Sequence, residues 1–420
     1  MARRPKDLRP EMSPLHLFGA RLRTLREAAG MSQTELGRRV AYSGHLIGKV
    51  ELGLRRPAAG LIRSLDVELK ADGQLTELAL DFDRDAEIDV PARNVFDLLP
   101  SLRHCIDVRD DPDDGMIRPA EVLASEVAEI VQLRLASDYH CLASRLALLM
   151  PELHRARLAM PGPGISMLLF QAYRAADAVA DKSSQYDLSA RFIDLLCASA
   201  AASEDPLTIA AAEYVRAELF FVNGDFMRGV QLLDRAAERL RHLAKNSPAG
   251  AAQAGALHMR AAVLAGRGGD RAAAEGHLDI AARWARCAPD GVYNGTAFGT
   301  SSVRIHQVSL ALEVDELGAA LELSANWAPS VQVPAERRSH FYLDRAIACQ
   351  RAGRQDEAVC ALSLARQIAP QHMRLHPQMK QVLARLVADA RRPAGQLTNL
   401  CRWAGFSAAG RPNPAALLTN

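Results

Sequence analysis

The chain has 420 residues, enough for two or three domains, and it is rich in aliphatic side chains but only 5 % aromatic. This balance favours helices packed through small residues and argues against a β-sandwich or a barrel. The sequence has no signal peptide, no apolar run of about 18 residues and no CxxC pair among its seven cysteines, so we expect a cytoplasmic protein with reduced thiols and no membrane contact.

The formal net charge of +2 is unevenly distributed along the chain. Residues 1–60 carry twelve basic and five acidic residues, whereas residues 81–115 carry four basic and eleven acidic residues. A basic head followed by an acidic stretch indicates a polyanion-binding head and a separate body. Ordinary surface solvation is the alternative explanation of this pattern.

The first elements in chain order are a basic flexible arm and an amphipathic helix. The arm covers residues 1–14, and the pattern predicts a helix over 15–29 that ends at Gly30. Ser32 and Glu35 have the spacing of a capping box at the start of a second helix.

Three further helices complete the head. Ser43 can cap a third helix that ends near Gly53, and two more helices are expected over 59–70 and 74–82. Residues 15–82 are therefore predicted to form a compact five-helix unit.

The rest of the chain is also predicted to be helical, so the whole fold is assigned to the all-α class. Residues 83–118 contain Asp and Pro clusters and are interpreted as an acidic linker with one short helix around 94–104. Helix follows helix over 119–391, and residues 392–420 are interpreted as a C-terminal tail.

Three segments of the body share small residues at helix crossings and a glycine at the turn: AELFFVNGDFMRGVQLLDRAAERL (217–240), AAVLAGRGGDRAAAEGHLDIAARWA (261–285) and AIACQRAGRQDEAVCALSLARQIAP (346–370). Their spacing resembles the tetratricopeptide repeat, which implies an irregular α-solenoid of stacked helical hairpins. The resemblance is weaker at 302–328 and 121–150, and poorest at 166–201. The GRGGDR sequence within the second segment could be mistaken for a phosphate-binding loop. It follows a helix and lacks the Lys-Ser/Thr ending of such a loop, so it is interpreted as a turn.

The head contains the segments LRTLREAAGMSQTELGRRV, SGHLIGKVELG and RRP over 22–57. This pattern resembles the helix-turn-helix of the lambda-repressor-like transcription regulators, also called the xenobiotic-response-element type. In that family Arg26 and Glu51 would form an internal ion pair, which excludes both from DNA contacts.

The resemblance implies a DNA-binding role for a set of head residues. Gln33 would hold a phosphate at a helix start, the beginning of the third helix would reach base edges, and the arginines after that helix would lie along the DNA backbone. The expected DNA contacts are Gln33, Thr34, Ser43, Gly44, His45, Lys49, Arg55 and Arg56. Gly44 and Gly48 supply no base-reading side chain, and a helix-turn-helix used only for protein contacts is the alternative.

The repeat register predicts a concave groove formed by the first helix of each hairpin. The residues expected near this groove are Tyr214, Glu218, Phe221, Met259, Val263, Ser309, Ile347 and Gln350. Each of them could equally be an ordinary packing residue.

Other chemistry finds little support in the sequence. His372 and His376 are four residues apart, a spacing that can hold a metal, but no third ligand is evident and two prolines bracket them. No paired-carboxylate, HExxH or GxSxG arrangement occurs in the sequence. We therefore expect no enzyme activity, no metal and no cofactor.

Taken together, these features predict a DNA-binding transcription regulator that acts on double-stranded DNA as a homodimer. Its helical-repeat domain would mediate dimerisation and sense a peptide, a small molecule or a protein partner. The alternative is a protein-interaction scaffold whose helix-turn-helix is not used for specific DNA binding.

Overall fold

The computed structural model describes residues 14–71, 73–80, 95–389 and 395–405, and these are almost entirely helical. Outside the described residues lie nearly all of the predicted arm (1–13), the first third of the predicted linker (83–94) and the end of the predicted tail (406–420). Within the described residues, no helix has both the length and the apolar character needed to cross a membrane.

The head consists of five helices, as predicted. They are α1 (Pro14–Ala28), α2 (Gln33–Arg39), α3 (Gly44–Glu51), α4 (Ala59–Glu68) and α5 (Gln74–Leu80). Their apolar faces meet in one core that includes Phe18, Leu22, Leu36, Ile47, Val50, Leu61, Leu65 and Leu75.

Two serines start the helices of the head motif as expected. The Ser32 hydroxyl accepts a hydrogen bond from the Glu35 backbone N–H at 3.1 Å, and the Ser43 hydroxyl accepts one from the Leu46 N–H at 3.2 Å. The expected capping box is only half present, because the Glu35 carboxylate contacts Arg39 at 3.2 Å.

The body contains a longer series of helices. They are α6 (Leu99–Asp107), α7 (Ala120–Ala136), α8 (Tyr139–Ala159), α9 (Pro163–Lys182), α10 (Tyr186–Ala202), α11 (Pro206–Arg216), α12 (Glu218–Asn223), α13 (Phe226–Arg239), α14 (Arg241–Asn246), α15 (Pro248–Arg267), α16 (Arg271–Ala285), α17 (Thr300–Glu313) and α18 (Leu317–Ser324). One hydrophobic core extends from Val95 to Val303, with large buried side chains such as Tyr139, Phe170, Phe192 and Phe298.

The C-terminal helices follow. They are α19 (Ala335–Arg351), α20 (Gln355–Ile368), α21 (Pro370–Leu375), α22 (Pro377–Asp389) and α23 (Gly395–Trp403). In α23, Leu400 and Cys401 are buried, and Gln396 donates a hydrogen bond to the Ser363 hydroxyl at 2.8 Å. Residues 395–403 therefore pack as a helix and are not part of a tail.

The body begins earlier in the chain than the predicted residue 119. Residues Val95–Leu98 form a 3₁₀ turn that leads into α6, and Leu102 and Ile106 of α6 are buried in the body core. Buried apolar side chains make residues 95–107 part of the body, although acidic residues on either side give the segment the composition of a linker.

The hairpin turns of the body share one backbone feature. Glycine takes the left-handed conformation in the three hairpins identified from the sequence, and Ser or Asp takes it in the three weaker ones. The positions are Gly224, Gly269, Gly353, Ser137, Ser184 and Asp315. In five of these turns, all but that of Gly224, the next N–H donates to the carbonyl five residues back, at 2.7 to 3.0 Å. GRGGDR contains one of them, which confirms that it is a turn.

One small β-hairpin interrupts the helices. Strands β1 (Gly291–Tyr293) and β2 (Thr296–Phe298) pair antiparallel around a two-residue turn of Asn294 and Gly295, both with positive φ. The sequence analysis did not predict it. The Asn-Gly dipeptide is the usual signal for such a turn and was present in the sequence.

Candidate functional site

Glu51 is the polar centre of the head. Its carboxylate is fully buried and accepts hydrogen bonds from Arg26 at 2.5 and 3.2 Å, and from the Gln33 amide at 2.7 Å. Arg26 also donates to the Met31 carbonyl at 2.7 Å. The predicted ion pair is thus confirmed. The Gln33 side chain is engaged inside the head by the same carboxylate.

Close packing between α2 and α3 explains the glycines of α3. A Cβ on Gly44 would lie 2.7 Å from the Thr34 Cα, and a Cβ on Gly48 would lie 2.9 Å from the Gln33 Oε1. Gly44 therefore approaches α2 backbone, whereas Gly48 approaches the end of a flexible side chain. Both glycines serve the contact between the two helices of the motif.

The outer face of α3 carries the exposed polar groups. His45 and Lys49 are one turn apart and both exposed, and Ser43 precedes them at the N-cap. Arg55 and Arg56 are exposed in the turn after α3. A neighbouring exposed residue that the sequence analysis missed is Tyr42, 39 % exposed immediately before the cap.

The eight expected DNA contacts therefore fall into two groups. Thr34, Ser43, His45, Lys49, Arg55 and Arg56 are exposed, whereas Gln33 and Gly44 are half-buried between α2 and α3. The exposed group combines hydrogen-bonding and basic side chains from α2, from α3 with its N-cap, and from the turn that follows α3. Such a surface can contact phosphates and base edges together.

The body contains a polar cavity of about 90 Å³. Five basic and four acidic side chains line it: Arg134, Arg174, Lys182, Arg260, Arg337, Asp177, Asp181, Glu218 and Glu336. Burial raises the pKa of Asp177 well above its usual value, and the nearby Glu218 adds to this effect. With five basic side chains against four acidic ones, the lining has an excess of positive charge.

The β-hairpin turn contacts two of these arginines. Arg134 donates to the Gly295 carbonyl at 2.8 Å, and Arg174 donates to the Asn294 carbonyl and to the Thr296 hydroxyl at 2.6 Å. Burial, followed by the charge of Arg134, lowers the pKa of Arg174 to about 9, which leaves it cationic at neutral pH.

Arg260 also lines the cavity. It donates to Glu218 at 2.9 Å, and its guanidinium lies 4.2 Å from the centre of the Tyr214 ring. Among the described residues, the buried Nε atoms of Arg134 and Arg260 have no hydrogen-bond acceptor. A buried donor without an acceptor is costly, so the cavity can gain stability from an added acceptor group.

Tyr214 belongs to a network that extends from the cavity. Its hydroxyl accepts a hydrogen bond from Arg337 at 3.0 Å, and Arg337 also donates to His306 Nε2 at 3.0 Å. Burial tends to raise the pKa of Tyr214, but Arg260 and Arg337 together outweigh it and lower the value to about 8. Burial lowers the pKa of His306 to about 3, so its ring is neutral.

Only part of the predicted groove lies at this cavity. Tyr214 and Glu218 line it, and the Phe221 ring contacts Arg267 at 4.9 Å beside it. Met259 is fully buried in the core, which corrects its assignment to a groove surface.

The other predicted groove residues have different surroundings. Val263 is half-buried, and the Ser309 hydroxyl hydrogen-bonds the buried Asp344 carboxyl. Ile347 is buried, and the Gln350 amide donates to Asp389 at 3.3 Å. Of the eight predicted groove residues, Tyr214 and Glu218 line the cavity.

The cavity arginines were missed, although their sequence context carried a signal. Arg260 lies in an alanine-rich helix, and the residues one turn away on either side are Ala256, Leu257, Val263 and Leu264. A lone charge surrounded by apolar neighbours at helical spacing is expected to be buried with a partner.

Comparisons with known proteins agree with the geometry of the head. Residues 17–79 match the family described as a helix-turn-helix domain. The fold and this match together define a class of protein with an N-terminal helix-turn-helix head and a body of helical hairpins. The match also supports, in general terms, a DNA-binding regulator.

Comparisons that extend beyond the head do not define a family for the chain. No curated protein matches the chain. Among solved structures, the crystal structure of Bacillus thuringiensis PlcR in complex with the peptide PapR7 and DNA aligns over 84 % of this chain and 96 % of that chain. The sequence identity is 12 % and the TM-score is 0.26, too low to establish a shared arrangement of helices.

Proposed function

We propose that this chain is a transcription regulator of the lambda-repressor-like type that binds duplex DNA through α3 and the turn after it. The observation that carries this proposal is the exposed face of His45 and Lys49 on α3, extended by Arg55 and Arg56. Ser43, His45 and Lys49 would read base edges, while the arginines would lie along the phosphates.

DNA recognition of this kind favours a homodimer. One head covers one half-site, and two heads bind half-sites about one helical turn, ~34 Å, apart. We propose a cytoplasmic homodimer that is held together chiefly by the body. Light scattering on the full chain should give twice the chain mass, and a monomer at concentrations that saturate DNA would contradict this part of the proposal.

The second part of the proposal concerns the body. Its cavity would bind an effector, either a peptide or a small molecule, through an anionic group. The support is the excess of basic side chains and the two buried Nε donors of Arg134 and Arg260. An effector that favours one arrangement of the dimer would shift the population that can bind an operator.

The DNA-binding part is tested by selection from a random duplex pool with the full chain. The proposal predicts enrichment of a shared site with two related halves. Binding without any enrichment would favour the scaffold alternative, in which the helix-turn-helix serves protein contacts or non-specific binding.

The effector part is tested with a tetraglutamate peptide and with inorganic phosphate as probes. Either anion should raise the melting temperature of the wild type more than an equal ionic strength of NaCl does. Arg134→Gln should abolish this rise, whereas Arg228→Gln, on an exposed arginine, should preserve it. An equal rise in both variants would place the anions elsewhere.

A further inference from the structure

Three histidines of the described chain come together in the fold although only two are close in sequence. His372 lies on α21, His376 follows that helix, and His340 lies on α19. His340 Nε2 and His372 Nε2 are 3.0 Å apart. One potential ligand nitrogen from each ring lies within 4.8 Å of the other two.

These separations fit a single metal ion. In a tetrahedral site with Zn–N bonds of about 2.0–2.1 Å, neighbouring ligand nitrogens lie roughly 3.4 Å apart. The rings of the cluster also face one another at steep angles, with interplanar angles of 52° to 82°. Their nitrogens can therefore converge on one point, which parallel stacked rings cannot do as readily.

His376 supplies an independent observation. Its Nδ1 is buried and has no hydrogen-bond partner among the described residues. An orphaned imidazole nitrogen in a buried cluster is costly unless it is satisfied by a ligand, and a metal ion is the ligand for which a lone pair is suited.

His372 has an outer partner that would orient its ring. The buried Tyr139 hydroxyl lies 3.3 Å from His372 Nδ1, so a proton on Nδ1 would leave the Nε2 lone pair directed at His340. Metal-binding histidines usually have such an outer hydrogen bond, which sets the tautomer. Burial lowers the pKa of His372 to about 3 and that of His376 to about 4, so both rings are neutral.

We propose that His340, His372 and His376 form a binding site for a divalent transition-metal ion, with Zn²⁺ as the best fit. Three imidazoles are a common donor set for zinc, with water in the fourth position. The ion would join the first part of α19 to the segment 371–376, and this link is independent of the proposed DNA binding. Glu336, one turn before His340, pairs with Lys182 at 3.1 Å, so the ion pair beside the site has no net charge.

A second set serves as an internal comparison. Asp234, His258 and His277 also lie within reach of one ion, but Asp234 is half exposed and the two rings stack at 28°. His277→Gln is therefore a matched control for substitutions in the proposed site.

The test is calorimetric titration of ZnCl₂ into the EDTA-treated and dialysed full chain, with bound metal counted by mass spectrometry. We expect one equivalent per chain and a higher melting temperature with zinc. His376→Gln should weaken zinc binding by more than about 100-fold, and Tyr139→Phe by about 10- to 100-fold. His277→Gln should leave the affinity unchanged.

Cobalt provides a readout of geometry that does not depend on stability. Co²⁺ added to the wild type should produce visible absorption typical of a tetrahedral site, and His340→Gln should remove it. Melting curves in EDTA verify that each variant is folded. Absence of stoichiometric binding by the folded wild type, or loss of binding in His277→Gln but not in His376→Gln, would overturn the proposal.

Discussion

At the scale of single residues, the glycines of α3 show how packing overrides helix propensity. Helix propensity alone predicts that alanine at Gly44 or Gly48 would stabilise α3 by about 1 kcal/mol. A Cβ at Gly44 would instead press against the backbone of Thr34 at 2.7 Å. The missing base-reading side chain is thus a consequence of how closely α2 and α3 approach.

Gly44→Ala should therefore destabilise the head, by about 1–3 kcal/mol as for other overpacked sites. Gly48→Ala should cost less, because the Gln33 amide can move. Hydrogen exchange of α2 and α3 peptides in the full chain measures both effects. Gly60→Ala is the control, since its Cβ would meet nothing closer than 4.0 Å. Equal exchange in Gly44→Ala and Gly60→Ala would contradict this explanation.

Asp344 gives a prediction about pH. Burial raises the pKa of Asp344 to about 7, although a hydrogen bond from Ser309 opposes the shift. The unfolded value is about 3.9, so the folded state holds the proton more tightly and stability falls as pH rises from about 4 to 7. The three-unit difference corresponds to at most about 4 kcal/mol.

Asp344→Asn keeps a neutral side chain of the same shape and should remove the loss of stability that accompanies rising pH. The variant should match the wild type at pH 4 and unfold at a higher denaturant midpoint at pH 8. The exposed Asp279→Asn, which has no such environment, should follow the wild type at both values. If the denaturant midpoint of the wild type rose relative to that of Asp344→Asn between pH 4 and 7, the raised pKa of Asp344 would be contradicted.

At the scale of elements, the turn residues decide which hairpins can be identified from sequence. Three hairpins have glycine in the left-handed position, where it has no steric cost, and these were predicted. The hairpins closed by Ser137, Ser184 and Asp315 have the same backbone but a weaker signal. The Asn-Gly dipeptide is a strong signal for a β-hairpin, but it was overlooked because the chain on both sides was predicted to be helical.

These turns predict opposite effects for two substitutions. Gly224→Ala should destabilise the body by about 1–2 kcal/mol, because a Cβ there meets no neighbouring atom and only the positive φ opposes it. Ser184→Gly should stabilise the body by about 1 kcal/mol, because its φ is +58°. Thermal unfolding followed by circular dichroism measures both, and a stabilising Gly224→Ala would contradict the assignment.

Helix α3, the proposed DNA-reading helix, gives the next prediction. His45→Ala or Lys49→Ala should narrow the difference in binding free energy between the selected site and random duplex by about 1–3 kcal/mol. Arg63→Ala, an exposed arginine on α4, should leave that difference unchanged. Competition binding at fixed salt measures the difference. Unchanged discrimination in both α3 variants would point to readout of DNA shape.

At the scale of the whole molecule, the head and the body differ in how far the sequence determines their sites. The head residues lie within one short segment, and its resemblance to the lambda-repressor-like family predicted the Arg26–Glu51 pair and the exposed face of α3. The cavity and the histidine cluster join residues far apart in the chain. Arg134 contacts Gly295, and His340 contacts His372. The spacing of residues within one segment predicts neither contact.

The central proposal is that the head binds duplex DNA with Arg55 and Arg56 along the phosphates, and the salt dependence of binding tests this most directly. The measurement is the slope of log K against log salt, from fluorescence anisotropy with the full chain and a labelled duplex. Each neutralised phosphate contributes about −0.9 to the slope. The account predicts that Arg55→Ala with Arg56→Ala flattens the slope by about 1.8 per bound head and weakens binding to all sequences alike.

Arg228→Ala with Arg241→Ala removes the same charge from exposed positions of the body and serves as the control. The account predicts that this control keeps the wild-type slope. An unchanged slope in the Arg55 and Arg56 variant, or an equal change in the control, would contradict phosphate binding by the head.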